Sequence, residues 1–170
     1  MMTDSMDILG ILAAARRIEE FGIEFYCRFS ECTGDETGAA LLRGLGRDEE
    51  GHKAMVEEEM RRLAPALDPA SVPPAPSALG IAPEKAFPFP PDRCMALEDE
   101  LRALEIGIQV EESSSDMYRR AALSVEEPRV RLLLERLAGI EEGHRRLLEE
   151  SMYMLRTQGA WYGYTPILEG

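Results

Sequence analysis

The chain has 170 residues, enough for a single domain around one core, and 45% of them are hydrophobic against only 6% aromatic, a helix-forming mixture that needs no disulfide staples. Its net charge of −13 excludes nucleic acid and anionic membrane surfaces as partners, because both require clustered Lys and Arg. Three cysteines, Cys27, Cys32 and Cys94, form no Cys-x-x-Cys pair, which excludes zinc knuckles and four-cysteine iron sites within the chain and points to a reduced, cytoplasmic setting.

The opening residues MMTDSMDILG are acidic, so no cleavable signal peptide is expected. The longest apolar run, Ile8 to Ala15 with Gly10 inside it, is far too short to span a bilayer. Four segments carry helical periodicity. The first covers about residues 4–31, with Thr3, Asp4 or Ser5 available as its cap. The turn TGDETG leads into the second, about 35–64, starting at Asp35 or Thr37. Residues 65–91 are dense in proline and cannot be helical throughout. With Ile81, Phe87 and Phe89 among them, they read as an ordered crossover laid along the bundle rather than as a loose linker. The third helix covers about 92–123, and a turn containing Ser124 follows. Pro128 suits the first turn of the fourth, about 127–157. The tail, 158–170, holds Trp161, Tyr162 and Tyr164. Two hairpins with tight turns, joined by one long connection, give an all-α, ferritin-like four-helix bundle occupying residues 1–170.

The two hairpins repeat each other without a gap at an offset of 92 residues, the separation of Glu49 from Glu141. Ile18-Glu19-Glu20 aligns with Val110-Glu111-Glu112, and Glu24-Phe25-Tyr26 with Asp116-Met117-Tyr118. Leu41-Leu42 and Leu45 align with Leu133-Leu134 and Leu137, and Glu49-Glu50-Gly51-His52 with Glu141-Glu142-Gly143-His144. Apolar positions match by chance between amphipathic helices; a repeated EEGH in register with a Glu…Tyr pair does not. The repeat implies an approximate two-fold axis, and a site on that axis receives each ligand twice.

The polar residues of the repeat fall in apolar seams. Steps of three and four place Leu42, Leu45, Glu49, His52, Val56, Glu59 and Leu63 on one face of the second helix. The fourth helix matches with Leu134, Leu137, Glu141, His144, Leu148, Ser151 and Leu155. The first helix carries Ile8, Leu12, Ala15, Glu19, Gly22, Tyr26 and Phe29, and the third Leu97, Leu101, Leu104, Ile108, Glu111, Ser115 and Tyr118. Unpaired carboxylates are too costly to bury incidentally, and four converging ones raise each other's pKa. Two divalent cations cancel four negative charges, with the chain's only two histidines adding neutral nitrogen ligands. One Glu from each of two helices, plus Glu-x-x-His from each of the other two, is the ligand set of di-iron and di-manganese bundles. The candidate metal ligands are therefore Glu19, Glu49, His52, Glu111, Glu141 and His144. Glu20 and Glu112 align equally well; Glu19 and Glu111 are preferred because each precedes a tyrosine by seven residues, two turns along one face. Glu50, Glu142, Glu57, Glu58 and Glu59 read as solvated or supporting. Tyr26 and Tyr118 read either as core aromatics or as hydrogen-bond donors to a ligand carboxylate. Oxygen-rich ligation with imidazole and no thiolate favours iron or manganese over structural zinc.

This pattern resembles the rubrerythrin-like branch of the ferritin-like superfamily over about residues 5–157, carried by Glu19…Tyr26, Glu49-x-x-His52, Glu111…Tyr118 and Glu141-x-x-His144. The resemblance implies two iron ions, replaceable by manganese or zinc, and an oxidoreductase that reduces hydrogen peroxide or dioxygen as a peroxidase or ferroxidase. It also implies a homodimer, so the aromatic tail has two readings: packed on its own bundle, or a dimer contact. Two departures stand out. Rubrerythrin proper has a rubredoxin-like domain with paired Cys-x-x-Cys motifs; this chain has none, so its electrons would come from a separate protein such as a rubredoxin. Rubrerythrin also places another carboxylate on its third helix, one turn beyond the first, where this chain has Ser113, Ser114 and Ser115. The alternatives to an enzyme are a metal-binding or iron-handling protein, and an interaction module with a vestigial site, which the intact ligand set disfavours.

Overall fold

The structure, a computed structural model, describes residues 5–75 and 95–163, and for Ser5 and Met6 the backbone only. The sequence-based assignments to Thr3, Asp4, Ile81, Phe87, Phe89, Cys94 and Tyr164 lie outside the described residues. Four long helices are present among those described: α1 Ser5–Cys32, α2 Glu36–Leu63, α3 Leu97–Ser124 and α4 Pro128–Gln158, with one turn of 3-10 helix at Pro69–Ser71. None of them is long and apolar enough to cross a membrane.

The helix ends follow from local chemistry. Asp35 caps α2, its carboxylate accepting the Gly38 N–H at 2.9 Å. Glu127 caps α4 by accepting the Val130 N–H at 2.7 Å, and Pro128 occupies the first turn. Gly159 closes α4 in the left-handed region at φ 65, where its N–H reaches Leu155 O. The third helix starts later than expected from the sequence: Met95 and Ala96 are not helical. Asp99 accepts the Ala96 N–H at 3.2 Å and so fixes the start at Leu97. Met95 N–H is meanwhile drawn to Cys32 O at 2.7 Å, tying this strand of chain to the end of α1. The other described end of the long connection is held by Ala75 N–H donating to Gly10 O at 2.9 Å. Gly10 and Cys32 lie toward opposite ends of α1, so the two described ends of the connection are anchored far apart along that helix.

Backbones approach most closely within the hairpins α1–α2 and α3–α4, while α1 meets α3 and α2 meets α4 across the wider seam between them. Side chains fill that seam as two apolar clusters. One gathers Leu12, Ala15, Val56, Tyr118, Leu134 and Leu137; the other gathers Phe25, Tyr26, Leu42, Leu45, Leu104 and Leu148. The repeat exchanges them: Leu12 corresponds to Leu104, Tyr26 to Tyr118, Leu42 to Leu134, Leu45 to Leu137, and Val56 to Leu148. The predicted faces of α1, α2 and α4 are buried, apart from partly exposed Leu63 at the end of α2. On α3 the buried line begins one turn later, at Glu100, Ala103 and Leu104; Leu97, as the first helical residue, is 49% exposed.

The aromatic tail is used by the bundle itself at Trp161. Its indole is buried, packs edge-on against Phe29 and covers Gly38, where an added Cβ would fall 2.5 Å from the ring.

The exchange of clusters sets an expectation for stability. Leu45→Ala and Leu137→Ala each remove a fully buried side chain from equivalent positions and should cost similar amounts, about 2–5 kcal/mol. Leu132→Ala, at a position 65% exposed, should stay within about 0.5 kcal/mol. Urea denaturation of the three variants measures this.

Candidate metal centre

Between the two apolar clusters, at mid-height of every helix, lies a polar layer. α1 contributes Glu19, α2 Glu49 and His52, α3 Glu111, and α4 Glu141 and His144, none more than 5% exposed. In α2 and α4 the Glu and His are three residues apart, so helical geometry sets them one above the other on the same face.

His52 Nδ1 lies 3.0 Å from Glu49 Oε2, 3.4 Å from Glu19 Oε2 and 3.5 Å from Glu141 Oε1. His144 Nδ1 lies 3.2 Å from Glu49 Oε1, 3.3 Å from Glu141 Oε2 and 3.9 Å from Glu111 Oε1. Glu49 and Glu141 thus turn one oxygen to each histidine. The two rings stack with centroids 5.5 Å apart. Two overlapping groups result, each with donor atoms mutually within 4.8 Å: Glu19, Glu49, His52 and Glu141, and Glu49, Glu111, Glu141 and His144. The repeat interchanges these groups, with Glu49 and Glu141 common to both.

The tyrosines cross between hairpins. Tyr26 of α1 donates its hydroxyl proton to Glu111 Oε1 on α3, and Tyr118 of α3 donates to Glu19 Oε1 on α1. Each therefore orients the carboxylate of the opposite repeat. Glu20 and Glu112 lie outside the cluster: Glu20 engages Arg16 at 2.8 Å and Lys53 at 3.1 Å, and Glu112 is exposed. Glu59 is buried but sits two turns beyond His52, paired with Arg62 at 2.6 Å. Glu57 pairs with Arg16 and Arg61, Glu142 with Arg145, and Glu50 is exposed. Ser114 and Ser115, one turn beyond Glu111, are buried with hydroxyls bonded to Val110 O and Ala138 O. α3 therefore brings no second carboxylate to this layer.

Two neighbours were not singled out from sequence. Asp48 Oδ2 lies 3.5 Å from His144 Nε2, on the side of the ring away from the cluster; its counterpart in the repeat is Ile140. That mismatch within an otherwise aligned DEEGH and IEEGH is the signal that could have found it. Gly22 packs directly on Glu49.

The electrostatics of the layer are those of too much negative charge in too little solvent. Burial, then the charges of Glu141 and Glu49, holds the Glu19 and Glu111 carboxyls well above the usual range. Burial acts likewise on Glu49, but the nearby His144 and the His52 ring outweigh it and bring that carboxyl below its ordinary value. Glu141, raised by burial and by Glu49, is lowered overall by the two imidazoles it faces. Burial disfavours the His52 cation, yet Glu141, Glu19 and Glu49 push it up to about 12. His144 is raised as well, against burial, by Glu49, Asp48 and Glu141. Burial and the carboxylates they face raise Tyr26 and Tyr118, keeping both phenols protonated as donors. In the metal-free layer, protons favour Glu19, Glu111 and the two rings over Glu49 and Glu141. Even so, Glu19 Oε2, both oxygens of Glu141 and both ring nitrogens of His144 are buried without a hydrogen-bond partner. Such orphaned donors are rare and call for an explanation. They belong to the two overlapping groups, and oxygen with imidazole nitrogen is a donor set that suits iron, manganese or zinc.

A family model described as rubrerythrin matches residues 10–153. Among solved structures, a hypothetical protein from Pyrococcus furiosus superposes with a TM-score of 0.71 at 20% sequence identity, covering 88% of this chain and 90% of the other. At that identity the likeness bears on the fold alone. No curated protein matches the chain.

The direction of the shifts gives a pH dependence. Glu19, Glu111, His52 and His144 have folded-state pKa values above their unfolded ones, so the folded metal-free protein holds extra protons above the ordinary carboxyl value of 4.5. Its stability must fall as pH rises through that window. Glu49 and Glu141 act oppositely, but only below 4.5. The thermal midpoint of chelator-treated protein should therefore fall from about pH 6 to about pH 9. Saturating Mn²⁺ should remove that fall, because metal ligation takes over from protons in cancelling the charge. Calorimetric scans across this range measure both arms.

Proposed function

The chain belongs to the rubrerythrin family, and from that premise we propose that it is a non-haem di-iron oxidoreductase reducing hydrogen peroxide or dioxygen with electrons from a separate donor protein. The observation that carries this reading is the pair of overlapping donor groups sharing Glu49 and Glu141. Each group would hold one metal, with Glu19 and His52 completing the first and Glu111 and His144 the second. Two redox-active ions supply, when bound, the two electrons needed to cleave an O–O bond without releasing a radical.

The chain's own residues do the rest. Glu49 and Glu141 each turn one oxygen toward either half-site, so both would serve as donors to each of the two metals. The Tyr118 hydroxyl holds Glu19 Oε1, leaving Oε2 turned toward His52. Tyr26 does the same service for Glu111. Both phenols keep their protons at pH 7 because they face carboxylates in a buried layer. Asp48 lies 3.5 Å from His144 Nε2, and its charge favours a proton on that nitrogen, leaving Nδ1 to face the cluster. The apolar residues above and below exclude water and keep the dielectric low, which strengthens each of these interactions.

The external donor is a small redox protein of the rubredoxin kind, since no cysteine pair in this sequence could hold a rubredoxin iron. The working unit is a homodimer, in keeping with the family. A second reading, metal binding or iron handling without turnover, is favoured by Ser114 and Ser115: an additional carboxylate on that turn, present in rubrerythrin, is missing here.

Protein purified without chelator should contain two irons per chain. Peroxide should oxidise the reduced, iron-loaded protein, and added rubredoxin should re-reduce it over many turnovers; stoichiometric iron without turnover would select the second reading. Glu49→Ala, which removes a donor common to both groups, should weaken both metals by more than about 10–100-fold, the cost of losing a hydrogen-bond partner of a ligand. Glu19→Ala should weaken mainly one. Metal analysis of the dialysed variants distinguishes these outcomes, and a Glu49→Ala protein retaining two irons would refute the assignment.

A further inference from the structure

Gly22 is buried at the middle of α1, one turn beyond Glu19, where glycine weakens a helix relative to alanine. A 28-residue helix carrying glycine at its centre calls for a local reason. A Cβ at Gly22 would lie 2.9 Å from Glu49 Cγ, 3.1 Å from Cδ and 3.3 Å from Oε1. The first of these is closer than real Cβ contacts allow, and the atoms met are all of one side chain. That side chain is the one whose two oxygens are divided between His52, at 3.0 Å, and His144, at 3.2 Å.

From this contact we propose that Gly22 is a positioning residue: the missing side chain leaves the space in which the Glu49 carboxylate lies across both halves of the site. Any Cβ there pushes Glu49 off one histidine or the other. The repeat does not duplicate the device. The counterpart of Gly22 is Ser114, a buried residue whose hydroxyl is bonded to Val110 O. The two shared glutamates are thus held differently, Glu49 against bare backbone and Glu141 beside a helix bearing a side chain at the matching position. Gly51 and Gly139 have nothing within 4 Å of an added Cβ.

The inference rests on the metal-pair reading above, so its test begins with the intact protein. Chelator-treated wild type, Gly22→Ala and Gly139→Ala are titrated with Mn²⁺ by calorimetry, with electron paramagnetic resonance recording the exchange-coupled pair. Wild type and Gly139→Ala should each bind two Mn²⁺ and show the coupled signal. In Gly22→Ala the second equivalent should weaken by about 10–100-fold, and the coupled signal should disappear. Wild type that binds no pair sinks the metal-centre reading itself; wild type and Gly22→Ala that bind the pair equally well overturn only this inference.

A thermal double-mutant cycle on the metal-free protein separates ligand placement from helix packing. If Gly22 acts through Glu49, Gly22→Ala lowers the midpoint in the wild-type background. In Glu49→Ala, which lacks the atoms it would strike, the same change is neutral or raises the midpoint. An equal loss in both backgrounds would show that the glycine serves the fold alone, and the proposal would fall.

Discussion

Four carboxylates in an apolar interior have to be neutralised by something, and most of this structure is arranged around that requirement. A lone buried carboxylate would shed its charge by taking a proton. Four, with two imidazoles between them, form a layer whose charge state is collective. The protein alone shifts the set in two directions: Glu19 and Glu111 toward the protonated form, Glu49 and Glu141 toward the charged form beside the two rings. A pair of divalent cations would balance it differently, with all four carboxylates charged and both imidazoles neutral. Because the same six residues would serve both solutions, metal binding would be coupled to proton release.

The apolar clusters make the layer possible by being divided. A continuous core through the middle of the bundle would leave the polar residues no room. Two cores, one at each end, leave a gap at mid-height that only side chains from all four helices can fill. The sequence repeat explains why the gap is symmetric: residues that pack one end in the first hairpin pack the other end in the second. It also explains why each tyrosine serves the glutamate of the opposite hairpin, since the axis relating the hairpins passes through the layer.

Symmetry is broken at two residues that adjoin the donors. Asp48 backs His144, whereas Ile140 occupies the corresponding place in the fourth helix. Gly22 gives way to Glu49, whereas Ser114 holds the matching position. Neither difference disturbs the apolar framework, and both fall on residues adjoining the donors. The half-sites are therefore built from one plan but are not chemically equivalent. The same is true of the bundle's ends: Trp161 covers Gly38 at one end, with no counterpart at the other among the described residues.

Much of this could be read in the sequence, and the reason is geometric. Periodicity of three and four places each side chain on its own helix, so the sequence by itself determined four helices, two repeated hairpins, and the Glu and His residues lying in apolar seams. It could not set the distance between helices, because that depends on side chains from several segments packing at once. The tertiary structure alone decided that Glu19 faces inward while Glu20 turns to Arg16 and Lys53, that α3 begins at Leu97 because Asp99 takes the Ala96 N–H and Cys32 O takes that of Met95, and that Trp161 folds onto its own bundle. It alone showed that Gly22 touches Glu49. An absent side chain leaves no trace in a hydrophobic pattern, and its meaning appears only when another helix comes within 3 Å of where it would have been.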